Sequence, residues 1–128
     1  MDRKRFEEIV RLGISSIPQE FLDKLNNVAI TIEDEPTFFQ KEKAGLRHGF
    51  SLFGLYEGVP QDKRVSYNAV LPDKITVFQN PIVKAARNEE DLIEIVKNTV
   101  WHEIAHHFGM NEEEVRAAET RRLQKISR

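Results

Sequence analysis

Apolar residues recur along the chain with two different periods, and each change of period marks an element. Phe6, Ile9, Val10, Gly13, Ile14 and Ile17 follow three- and four-residue steps, which places them on one stripe of a helix. Pro18 fits the first position of a second, short helix carrying Phe21, Leu22 and Leu25. Asn26-Asn27 is turn chemistry, and Val28-Ala29-Ile30-Thr31-Ile32 alternates β-branched with smaller residues, as a strand does. From Glu33 to Gly49 the pattern is polar and irregular, with Pro36 and Gly45, and reads as a long surface loop. Ser51 to Tyr56 reads as a second strand, in which Gly54 marks a bulge or a close backbone approach. Gly58-Val59-Pro60 ends it. A further polar loop reaches Asp73, Lys74 to Phe78 is the third strand, and Asn80-Pro81 closes it.

The strongest periodicity lies between about Glu89 and Phe108. Leu92, Val96, Val100, Ile104 and Phe108 form an unbroken four-residue ladder, joined by Ile93, Ile95 and Ala105. Few polar residues interrupt it, so this helix is expected to be buried on most sides and to organise the core. Gly109 is a left-handed stop. Asn111 can cap a final helix opening with Glu112-Glu113-Glu114 and closing on basic residues, in the sense its dipole favours. The order helix, helix, strand, strand, strand, helix, helix implies α/β (α+β) layer packing, with a small sheet on the buried helix.

Length adds that residues 1–128 make one domain, since domains cluster around ~100–150 residues. A hydrophobic fraction of 40% beside a charged fraction of 31% describes an ordinary globular chain. The net charge of -2 offers no global attraction to nucleic acid or anionic membrane. No apolar run approaches the ~20 residues that cross a bilayer, and Met1 to Glu8 lacks the apolar core of a secretory signal. The absence of cysteine removes disulfides, thiolate metal sites and a cysteine nucleophile, and fits a cytoplasmic location.

The remaining chemistry is concentrated at His102-Glu103-Ile104-Ala105-His106, inside the long helix. Two histidines four apart project from one side, separated by only ~40° of arc and one turn of rise. That spacing lets both imidazoles reach one ion, at ~2.0–2.1 Å for zinc. Thr99 and Ile95 continue their stripe toward the N-terminus. Glu103 sits beside the first histidine but off its line, able to face a water without binding the metal. This is the H-E-x-x-H zinc hydrolase pattern. The competing reading is a pair of core histidines satisfied by backbone carbonyls, with a solvated glutamate between.

Catalytic zinc keeps three protein ligands and an open position. Gly109 lets the chain fold back, and Glu112 completes H-E-x-x-H-x-x-G-x-x-E, the metzincin arrangement with a carboxylate in place of the last histidine. The alternatives are that Glu112 only stabilises the final helix, or that Glu119 supplies the ligand. His107 points away from the pair, to the surface. His48 reads as an exposed loop histidine, Tyr56 and Tyr67 as packing or loop anchors with polarisation of a substrate carbonyl as the alternative, and Trp101 as a core or interface residue opposite the histidines. No phosphate loop, dinucleotide fingerprint or serine-hydrolase elbow is present.

From His102 to Glu112 the chain resembles the small bacterial zincin-like metallopeptidases, or minimal zincins, whose pattern is H-E-x-x-H-x-x-G-x-x-D. The resemblance extends to Leu55-Tyr56-Glu57-Gly58-Val59-Pro60 and Leu71-Pro72-Asp73-Lys74-Ile75-Thr76-Val77. It implies a reduced zincin fold, ligands at His102, His106 and the acid at Glu112, and Glu103 as base. Glu112 departs from the family's aspartate by one methylene. The expected activity is zinc-dependent hydrolysis of a peptide or flexible protein segment, with no nucleic-acid or membrane partner. The alternative is a non-catalytic zinc-binding structural or interaction module.

Overall fold

A computed structural model of the chain describes residues 1–25, 27–45, 52–58, 72–107 and 117. Among them are five α-helices and a three-stranded mixed sheet, an α+β arrangement. Helix α1 spans Arg3–Ser15 and α2 Gln19–Leu22, followed by a 3₁₀ turn at Asp23–Leu25. Strand β1 is Val28–Glu33, α3 Phe38–Lys43, β2 Gly54–Glu57 and β3 Asp73–Phe78. Helix α4 is Gln79–Ala85 and α5 Glu89–His107.

The sheet order is β1-β3-β2, with β3 central, parallel to β1 and antiparallel to β2. Strand side chains alternate faces, so Ile75 and Val77 join the main core together with Ile30 and Ile32 of β1. The opposite face carries Phe78, packed with Leu52 and Leu55, and a hydroxyl pair across strands, Thr31 Oγ1 to Thr76 Oγ1 at 3.1 Å. At the head of β1, Asn27 takes φ 62°, a left-handed conformation asparagine tolerates. Its carbonyl accepts the amide of Asp73, which aligns β1 with β3.

Helix α5 lies on the core face of the sheet and α1 packs along α5. Phe6, Ile9, Val96, Val100 and Ile104 are fully buried between them. The helices pack tightly at Gly13, where an added Cβ would lie 2.9 Å from Val96 Cγ1 and 3.1 Å from the Lys97 amide nitrogen. Asp2 caps α1 by accepting from the Arg5 amide, and Asn88 caps α5 by accepting from the Asp91 amide. Arg5 then spans both helices with a two-pronged bond to Glu89, at 3.0 and 2.7 Å.

Two helices interrupt segments that the hydrophobic pattern gives to loops. Helix α3 falls within 33–49 and has no apolar stripe, since Phe38 and Phe39 are exposed and only Gln40 is buried. A capping box makes it: Thr37 accepts the Gln40 amide and the Gln40 side chain accepts the Thr37 amide. Helix α4 begins one residue after β3, so Asn80-Pro81 starts a helix rather than a turn. Proline is harmless in a first turn, where amides have no intrahelical acceptor. The amide of Asn80 instead donates to the Asp34 carbonyl at the exit of β1. Among the described residues, no helix is long and apolar enough to cross a membrane.

Candidate functional site

The last described turns of α5 run beside the edge of β2 that faces away from β3. The core ladder of Leu92, Val96, Val100 and Ile104 sets the rotation of the helix, and Trp101 turns into the core and packs on Phe21 at 5.3 Å. That rotation leaves Ile95, Asn98, Thr99, His102 and Glu103 facing a cleft of about 360 Å³. Leu52, Phe53 and Gly54 form its other wall.

Gly54 explains how closely the strand approaches. A Cβ there would stand 2.5 Å from Thr99 Cγ2 and 3.2 Å from the Thr76 carbonyl oxygen. Of the two readings the sequence allows for this glycine, the close approach holds. Thr99 donates its hydroxyl to the Ile95 carbonyl, 2.7 Å away, and so turns its methyl toward the strand. One end of the cleft is therefore apolar, and His102 and Glu103 form the other.

Backbone parity decides what meets Glu103. Phe53 accepts the Phe78 amide, so Phe53, Leu55 and Glu57 direct their backbone groups inward to β3, whereas Gly54 and Tyr56 direct theirs outward. The outward amide of Tyr56 donates to Glu103 Oε2 at 3.1 Å. The Tyr56 ring lies flat on the imidazole of His107, with centroids 3.8 Å apart and an angle of 14° between planes. Its hydroxyl donates to Asp73 Oδ2 at 2.8 Å, at the start of the central strand.

Helix α5 thus brings His102 and Glu103 to one cleft, both half-buried. His106 lies one turn beyond His102 on the same helix, and its side chain is outside what the structure describes. Glu112, its alternative Glu119, His48 and Tyr67 fall outside the described residues, as does the final helix apart from Ala117. Among the described residues no three acidic or imidazole groups converge on one point. His107 is exposed, as its helical position predicts, and Trp101 is core. The contribution of Tyr56 to the site was hidden in the sequence. The sequence names Tyr56 as a packing or anchoring residue, and the strand period aligns it with Gly54 on one face, but neither points to Glu103 or His107.

The family model of the zincin-like metallopeptidases matches residues 25–122. No curated protein sequence matches the chain. Among solved structures, a conserved hypothetical protein from T. thermophilus superposes with a TM-score of 0.54. It is 23% identical, and the match covers 84% of this chain and 94% of that one, a likeness of fold.

Proposed function

This chain belongs to the zincin-like metallopeptidase family, and from that premise we propose that it is a zinc-dependent peptidase with His102, His106 and Glu112 as metal ligands and Glu103 as general base. The observation that carries the reading is the shared position of His102 and Glu103 at the polar end of an open cleft, on the helix that also bears His106. The donor chemistry fits the metal: two imidazoles one turn apart and a carboxylate, with no thiolate to close the site. Zinc, when bound, supplies a Lewis acid that polarises the scissile carbonyl and lowers the pKa of water toward ~7.

The chain's own residues supply the rest. The Tyr56 amide holds one oxygen of Glu103 and fixes the orientation of its carboxyl group. Glu103 takes the proton of the attacking water and returns it to the leaving amine, as general acid–base catalysis requires. The outward backbone groups of Gly54 offer a pairing point for an extended substrate, in the manner of strand addition. The apolar wall of Leu52, Phe53 and Ile95 suits an apolar substrate side chain. A peptide or flexible segment meets these requirements, and the cytoplasm is the proposed location.

Metal analysis joined to a peptide-cleavage assay tests the proposal. The parent protein should carry one zinc per chain and His106→Ala little. Glu103→Gln should retain the zinc and lose cleavage. A parent that binds zinc tightly but cleaves no peptide would favour the structural or interaction module instead.

A further inference from the structure

Three independent contacts converge on Tyr56 from the last turn of α5 and from the central strand. They are the amide bond to Glu103, the stack on His107 and the hydroxyl bond to Asp73. Glu103 and His107 are themselves four residues apart, each one residue after a proposed ligand. Successive helical residues are rotated by ~100°, so 103 and 107 form the stripe neighbouring that of 102 and 106. Holding one stripe against β2 sets the direction of the other.

We propose that Tyr56 is a positioning residue for the metal ligands, an inference that rests on the metal reading of His102 and His106. The need for one is physical. The sequence places the helix stop at Gly109, and a helix end leaves its last four carbonyls without intrahelical partners and frays readily. Metal–ligand distances tolerate only ~0.2 Å, so a fraying final turn would hold two imidazoles poorly. Tyr56 ties that turn to β2 through its amide and ring, and to β3 through its hydroxyl. The stack also keeps the His107 ring flat against the strand, while His102 faces the cleft.

The test is metal affinity, measured by chelator competition with zinc, together with the visible absorption of the cobalt-substituted protein, which reports ligand geometry. Groups that orient metal ligands typically matter by ~10–100-fold in affinity when removed. Tyr56→Ala should weaken zinc binding by about tenfold or more within that range and alter the cobalt bands. Tyr56→Phe keeps ring and amide, and should restore most of the affinity. His107→Ala, at an exposed position, removes the same stack without altering β2, and should weaken binding comparably even if Tyr56→Ala does not fold. Ile9→Val, which loosens the core away from the site, should lower thermal stability and leave both readouts unchanged.

Parent-like affinity and cobalt bands in both Tyr56→Ala and His107→Ala would overturn the positioning role while the metal reading stands. If His102→Ala binds zinc as tightly as the parent, the metal reading fails and the inference falls with it.

Discussion

The two faces of α5 are held by different physics. On one face, Leu92, Val96, Val100 and Ile104 are buried against α1 and the sheet, where contact is dispersive and without direction. On the other face the contacts of Glu103 and His107 with β2 are directional, a carboxylate on an amide and one ring on another, while the Tyr56 hydroxyl ties β2 to Asp73 of β3. The first kind of contact supplies stability in proportion to the area covered. The second contributes less stability but fixes angles. The helix therefore carries its anchor and its proposed chemistry on separate faces, and changes to one face should leave the other's observable largely untouched.

The widest separation is expected from Glu103→Gln. Peptide cleavage should fall by ~10²–10⁴, the usual contribution of a positioned acid–base group. The melting temperature should barely move, because the glutamine oxygen can still accept the Tyr56 amide. Phe6→Ala should do the reverse. It empties a fully buried site between α1 and α5, and the cost should be ~3–5 kcal/mol of unfolding free energy in a urea titration. Zinc bound per folded molecule should not change.

A third substitution probes the boundary between the faces. Gly54→Ala drives a methyl into Thr99 Cγ2 and toward the Thr76 carbonyl, an overpacking worth ~1–3 kcal/mol. Adding Thr99→Ser removes that Cγ2 while keeping a hydroxyl for the Ile95 carbonyl, and should recover part of the loss in a double-mutant cycle. Strict additivity of the two changes would mean that the strand and helix are not in contact there.

The smallest effect concerns pH. The Arg5 guanidinium, by hydrogen bonding first and by charge second, lowers the Glu89 carboxyl from its ordinary value of 4.5. A lowered folded-state pKa means that the pair's contribution is fully present above the unfolded value and is lost as pH falls through the folded one. Both groups are exposed, so the contribution is small. Melting temperatures of the parent and Glu89→Gln should differ slightly at neutral pH and converge in acid.

Much of the fold was legible because burial has a period. The ladder in α5 and the apolar stripe of α1 predict both helices, to within a turn at their ends. Strands β1 and β3 follow from β-branched runs, and β2 proves shorter at its start than Ser51. Helices α3 and α4 escaped because neither advertises a buried stripe. The threonine and glutamine box at Thr37 and Gln40 was the available sign of α3, while α4 rests on an amide-to-carbonyl bond with Asp34, far away in sequence. At the cleft, the shared side of His102 and Glu103 could be read from helical spacing, and the close approach at Gly54 from its misfit within a strand. Tyr56 could not, since its partners lie at 73, 103 and 107 and no local pattern links them.

The chain's letters alone determined which residue types could do chemistry and which helix would carry them, because helical spacing is a local property of the backbone. Only the tertiary structure decided which face of that helix meets a strand edge, how closely Gly54 lets that edge approach, and which strand residue meets Glu103 and His107. Those choices depend on packing between elements distant in sequence, and packing is set by shapes that meet only once the chain has folded.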